Sequence, residues 1–129
     1  MDPIADFLTR LRNGIHRQHR EVRVPFSRMK HELARILLEE GYVSNFQIGG
    51  EGIRKVIVVT LKYDEDGSSV IKGIERVSRS SRRVYARSDG MPRVLGGLGT
   101  LVLTTSRGIM TDRDARAAGI GGELVCKVW

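Results

Sequence analysis

The stretch IRKVIVVTLKYDEDGSS, residues 53–69, joins the plainest strand of the chain to its most polar turn. Alternation puts Lys55, Ile57, Val59, Leu61 and Tyr63 on one face and Arg54, Val56, Val58, Thr60 and Lys62 on the other, the period-two pattern of a sheet. The cluster of Asp, Glu, Gly and Ser that follows stops the strand and marks a boundary between two lobes. Working back towards the start, YVSNFQI reads as a strand joined to residues 53–63 through the glycine-rich turn GGEG. Before it, Ser27 is placed to cap a helix that buries Met29, Leu33, Ile36 and Leu37 and is ended by Gly41. EVRVP is a short strand. Asp2-Pro3 opens a first helix whose Ile4, Phe7, Leu8, Leu11 and Ile15 form one stripe, leaving Arg10, Arg12, Asn13 and Arg17 outside it.

Beyond the turn the pattern changes to short strands, expected at 70–77, 82–87, 100–105 and 123–128. Thr111 and Asp114 have the spacing of a helix start over 112–118, which Gly119 would close. The fold class is therefore α+β in two small lobes: an N-terminal α-β-α-β-β lobe over residues 1–66, and a C-terminal β-rich lobe with a short helix over 67–129.

Composition narrows the function. The chain has 129 residues, 40% of them hydrophobic and 29% charged, which suits a water-soluble protein with a modest core. No apolar run reaches the ~18 residues of a membrane span, and MDPIADF lacks the basic-then-apolar order of a secretory signal. The single cysteine, Cys126, rules out an internal disulfide and suits a reducing, cytoplasmic setting. The net charge of +7 is local: residues 71–93 carry +5 and residues 1–20 carry +2. Most of this charge is arginine, which can bind phosphate through two N–H groups and stack on bases. An RNA or DNA partner fits this distribution better than a merely soluble surface does.

Enzyme chemistry finds little support. Ser106 follows a strand, but Thr104 stands where a nucleophile elbow needs glycine, and all three histidines lie in the other lobe. His16 and His19 have no third metal ligand nearby, and DEDG lacks the later ligands of a calcium loop, so no metal and no cofactor are expected. IGGEGI and LGGLGT do not run from strand to helix with nucleotide-binding spacing.

The basic strand RRVYAR fares better. Val84 and Ala86 can meet a core while Arg83, Tyr85 and Arg87 face outwards, a stacking ring among guanidinium groups. A tyrosine with a half-buried ring fits the same alternation, which leaves both readings open. Thr104, Thr105 and Ser106 offer small donors and acceptors suited to ribose hydroxyls and base edges in a shallow groove. Taken alone, they would equally be a solvated strand end.

At this point the sequence resembles a known family. TTSRGIMTDRDARAAGIGGELVCKVW is similar to the C-terminal signature of bacterial small-subunit ribosomal protein eight, and the likeness extends through DPIADFLTRLRNG, PFSRMKHELARILLEEGY and PRVLGGLGTLVLTTSRG. It implies a non-catalytic, primary binder of small-subunit ribosomal RNA, located in the cytoplasm within the small subunit. Such a protein recognises an irregular helix of the central domain and helps to assemble the platform near ribosomal proteins five and twelve. The resemblance also implies repression of the protein's own operon messenger. It assigns RNA contacts to Thr104, Thr105, Ser106, Gly108 and Glu123, with support from Tyr85, Lys30 and Lys55, next to the basic pair Arg82 and Arg83. The chain departs from the family pattern at Ser80-Ser81, where Pro-Gly is usual, and at Lys127, where an aromatic is usual.

Overall fold

The computed structural model describes residues 2–129. Its elements are α1 (Pro3–His16), β1 (Glu21–Pro25), α2 (Arg28–Glu39), β2 (Val43–Gly49), β3 (Val56–Leu61), β4 (Ile74–Arg76), β5 (Tyr85–Ala86), β6 (Thr100–Thr105), β7 (Gly108–Thr111), α3 (Asp112–Ala118) and β8 (Gly122–Val128). They fall into two units, Pro3–Ile71 and Lys72–Trp129. All strand pairing is antiparallel, and the α+β class with its helix-rich first unit and β-rich second unit agrees with the sequence reading.

In the first unit the sheet order is β1-β3-β2. Ile57, Val59 and Leu61 of β3 are buried, while Val56, Val58 and Thr60 are half-buried on the other face. β1 pairs Val22 with Val59 and Val24 with Ile57, extending the buried face sideways. Against it, α1 brings Ile4, Phe7, Leu8 and Leu11, and α2 brings Leu33, Ala34, Ile36 and Leu37. Each large apolar side chain among these contributes about 1.5–3 kcal/mol when it leaves water. Ile15 and Met29 are only half-buried, because the buried stripe shifts to Gly14 in α1 and to Ala34 in α2. Gly14 lets the end of α1 close on the sheet: a Cβ there would lie 2.6 Å from Val22 Cγ2 and 3.3 Å from Leu61 Cδ1. Ser27 Oγ accepts the Lys30 N–H at 3.2 Å and caps α2. Gly41, at φ +81°, ends it in the left-handed region that a side chain would resist.

The polar turn is a hairpin on the end of β3. Asp64 N–H donates to Ser68 O at 2.7 Å, Val70 N–H donates to Lys62 O at 3.0 Å, and Tyr63 pairs with Ser69. These bonds and the burial of Ile71 keep the turn in the first unit, so the division falls after Ile71 and not within the turn.

The second unit has the order β4-β8-β6-β7, with β5 also on β8. Its core joins Met91, Val94, Leu101, Leu103, Ala115 and Leu124, flanked by Val77, Val84, Ala86, Met110, Ile120 and Trp129. The helix expected at 112–118 is present: Thr111 Oγ1 accepts the Asp114 N–H at 3.2 Å, and Gly119 closes it at φ +70°. The strands expected at 70–77 and 82–87 contract to three and two residues. Residue 70 belongs instead to the preceding hairpin, its N–H held by Lys62 O. Between Ser78 and Val84 the buried Ser78 Oγ adds side-chain bonds, accepting the Val84 N–H at 2.8 Å and donating to the Val84 carbonyl at 3.2 Å, to the main-chain bonds that Ser78 and Val84 make with Leu124. β7 is absent from the sequence reading, since 108–111 is too short to show a period.

Candidate nucleic-acid interface

Sheet register gathers the expected side chains of the second unit. Tyr85 of β5 pairs with Glu123 of β8, and Glu123 pairs in turn with Thr104 of β6. Residues opposite each other in an antiparallel pair project to the same side, roughly 4.5–5.5 Å apart. Tyr85, Glu123 and Thr104 thus form one transverse row. Leu103, Leu124, Val84 and Ala86 fill the core behind it. Tyr85 is 68% exposed, which decides between the two readings left open by its alternation: the ring stands in solvent.

Two glycines make the row possible. A Cβ on Gly122 would strike the Thr104 carbonyl oxygen, and one on Gly121 would strike that of Ala86. Their missing side chains let β8 enter between β5 and β6. In sequence, a Gly-Gly pair reads as an ordinary turn and gives no sign of this role.

Next to the row, β6 turns into β7. Thr105 Oγ1 accepts the Arg107 N–H at 3.0 Å and donates to Gly108 O at 2.8 Å, while Gly108 sits at φ +96°. The Thr105 hydroxyl therefore shapes the turn. Ser106 is exposed, and its hydroxyl has no partner among the described residues. All three histidines belong to the Pro3–Ile71 unit, so the second unit holds no imidazole to serve Ser106 as a base.

Glu123 looks misplaced on a surface meant for an anion. Arg83 answers this: its Nη1–H donates to Glu123 Oε2 at 2.9 Å. That bond, followed by the carboxylate's charge, raises the Arg83 pKa. With its charge balanced, the carboxylate keeps a second oxygen to accept from a base amine or ribose hydroxyl. Arg82 precedes this pair and is exposed, held by reciprocal backbone bonds with Arg79 at 2.9 and 3.0 Å. Ser80 and Ser81 form the two-residue turn between them, and neither has positive φ, so the turn closes without the usual glycine. Lys127 extends its ammonium to 3.5 Å from Glu75, its register partner on β4, and the two form an exposed ion pair.

The two lysines lie in the first unit. Lys30 is only 4% exposed, and burial lowers its pKa, opposed by the attraction of Asp6. A side chain so enclosed has little surface for RNA. Lys55 is half-buried, with its ammonium 4.2 Å over the Phe26 ring. Among the described residues no group of three His, Cys, Asp or Glu side chains could hold a metal, and no helix is long and apolar enough to cross a membrane.

The family model described as ribosomal protein S8 matches residues 2–129. The proteins named small ribosomal subunit protein uS8 of Solibacter usitatus, Rubrobacter xylanophilus and Syntrophomonas wolfei are 55%, 52% and 51% identical to this chain. Each alignment covers 99% of this chain and 97–98% of the relative. With one family model spanning the described residues and identity near one half throughout, the chain belongs to the ribosomal protein S8 family.

Proposed function

We propose that this protein is a structural component of the small ribosomal subunit in the cytoplasm, and that it binds ribosomal RNA through the Tyr85–Glu123–Thr104 row and the 104–108 turn. Family membership and the names of the relatives support the first part. The observation that carries the second is the row itself: an exposed ring, a charge-compensated carboxylate and a hydroxyl on three neighbouring strands, beside a turn that leaves Ser106 unbonded. The ring can stack on an unpaired base, while the carboxylate and hydroxyls accept from and donate to base edges and ribose. Arg82 and Arg83 contribute phosphate attraction, the salt-sensitive part of affinity. The site performs no covalent step; it selects and holds.

The target proposed is an irregular helix of the central domain of small-subunit RNA, where binding would help order the platform near ribosomal proteins five and twelve. A messenger carrying a similar irregular helix would be bound by the same row, which gives repression of the protein's own operon a physical basis. The test is binding to a central-domain hairpin and to a scrambled hairpin of equal length across a salt series. A preference that survives moderate salt and shrinks in Ser106→Ala supports the reading. Equal affinities that collapse together with salt reduce the surface to a generic basic patch.

A further inference from the structure

Arg82, Arg83 and Arg87 all stand exposed in the segment that carries Tyr85, but they are not equally free. The side chains of Arg82 and Arg87 have no partner among the described residues. Arg83 instead gives its Nη1–H to Glu123 Oε2 at 2.9 Å, a residue forty positions away. A cation kept only to attract phosphate gains nothing from such a bond, because the carboxylate offsets its charge at any distance beyond the pair. The bond needs another reason.

The backbone that carries Arg83 is held on both sides. Val84 N–H donates to Ser78 Oγ at 2.8 Å, and the Val84 carbonyl accepts from the Ser78 hydroxyl at 3.2 Å and from Leu124 N–H at 2.8 Å. Val84 packs towards the core, so Arg83 and Tyr85, one residue to either side of it, share the outward side. Tyr85 is the register partner of Glu123, which makes Arg83 the diagonal neighbour of that carboxylate and brings it within reach of a long side chain. A buried hydroxyl thus fixes the strand, and the strand delivers a guanidinium to Glu123.

Glu123 depends on that delivery. Its side chain is 22% exposed and makes no other bond among the described residues. Released from Arg83, the carboxylate would turn among its rotamers, and its charge would repel each approaching phosphate. Bonded to Arg83, it has one oxygen tied down and the other left in the row between Tyr85 and Thr104. An acceptor whose place is set before the RNA arrives loses less freedom on binding, and so discriminates better. From this we infer that Arg83 is a positioning residue for RNA selection, acting through Glu123 by holding the carboxylate where it can accept from a base amine or ribose hydroxyl. Its phosphate attraction is a separate contribution. The inference rests on the reading of the row as an RNA-selecting site, and makes the row's preference depend on a residue outside it.

The experiment is a double-mutant cycle on the full chain, read as the ratio of affinities for a central-domain hairpin and a scrambled hairpin of equal length. R83Q should lower that ratio nearly as much as E123Q does, by roughly tenfold, the worth of about one net hydrogen bond. R83Q/E123Q should lower it no further than E123Q alone, because the support is removed from a carboxylate already gone. R82Q, which changes an arginine with no side-chain partner among the described residues, should leave the ratio intact. Circular dichroism checks that each variant folds. An unchanged ratio in R83Q overturns the inference and leaves Arg83 a plain phosphate cation. Losses that multiply to roughly a hundredfold in R83Q/E123Q also overturn it, since Arg83 would then touch the RNA in its own right. Failure of the RNA-binding reading looks different: there the wild-type protein itself shows no preference between the two hairpins.

Discussion

The two units satisfy their buried polar groups by different means. In Pro3–Ile71, helices and long ladder pairs do almost all of the work, and Lys30 is the one polar or charged residue buried among those described. In Lys72–Trp129, Ser78, Thr100, Thr111 and Asp112 are buried, and the side chains of Ser78, Thr111 and Asp112 bond main chain directly. Ser78 adds side-chain bonds to the main-chain ones before β5. Asp112 takes the Leu101 N–H at 3.1 Å and pairs with Arg116, which also donates to Pro92 O at 3.3 Å. A sheet stitched by side chains can begin and end strands where a surface needs them. That freedom is what sets Tyr85, Glu123 and Thr104 in one row, and it also makes the second unit the more fragile to single substitutions.

The largest effect should come from Asp112→Ala. It removes the acceptor for Leu101 N–H and strands a mostly buried guanidinium, so urea denaturation should show a loss of about 3–5 kcal/mol. Arg35→Ala in the first unit, which breaks the exposed pairs with Glu32 and Glu39, should cost less than about 1 kcal/mol. Similar losses in both would erase the distinction between the units.

Next in size are Gly122→Ala and Ser78→Ala. The first pushes a methyl into the Thr104 carbonyl; the second leaves the buried Val84 N–H unpaired, at about 1–3 kcal/mol. Both should lower the melting temperature and the RNA preference together, because both displace Tyr85 or Glu123. Tyr85→Ala should separate the two readouts. With its ring in solvent, stability should hold within about 0.5 kcal/mol, while RNA binding weakens by about 1–3 kcal/mol.

Cys126 gives a pH test confined to the second unit. Full burial pushes its thiol up from 9.0 to about 12. The folded state then holds its proton where the unfolded chain has lost it. The thiol's contribution is complete below pH 9 and fades as pH rises through 12. Wild type should lose stability relative to Cys126→Ala over that window by up to ~1.4 kcal/mol per pH unit. Parallel pH profiles for the two would show the thiolate is tolerated in place.

How much of this can be read in the sequence follows the same division. Ser27 and Gly41 bound α2, the β3 alternation sets its buried face, and Thr111 and Gly119 bound α3, because each rests on spacing within one element. β7, the bulge that matches Val102 to Cys126 but Leu103 to Leu124, and the entry of Gly121-Gly122 between two strands depend on partners distant in the chain. The hydroxyls at 104–106, Glu123 and Tyr85 stand out in the sequence and its family resemblance, and Tyr85, Glu123 and Thr104 meet in one row. The Arg83–Glu123 bond that makes the carboxylate tolerable is invisible there, since a gap of forty residues carries no local signal. Lys30, which only the family resemblance assigns to RNA, is enclosed, and neither that packing nor the nearby Asp6 charge has a local signal in the sequence.

The central claim is that the row confers preference and the arginines confer strength. The most direct measurement compares Glu123→Gln with Arg82→Gln for binding to the central-domain hairpin and its scrambled counterpart over a salt series. The account predicts that Glu123→Gln lowers affinity for the specific hairpin about tenfold, with the scrambled one untouched, since the lost hydrogen bonds from base or ribose are worth about 1.4 kcal/mol. Arg82→Gln should weaken both RNAs alike and flatten both salt slopes by ~0.7–0.9. Equal losses for the two RNAs in Glu123→Gln would contradict the account and leave Glu123 as no more than an anchor for Arg83.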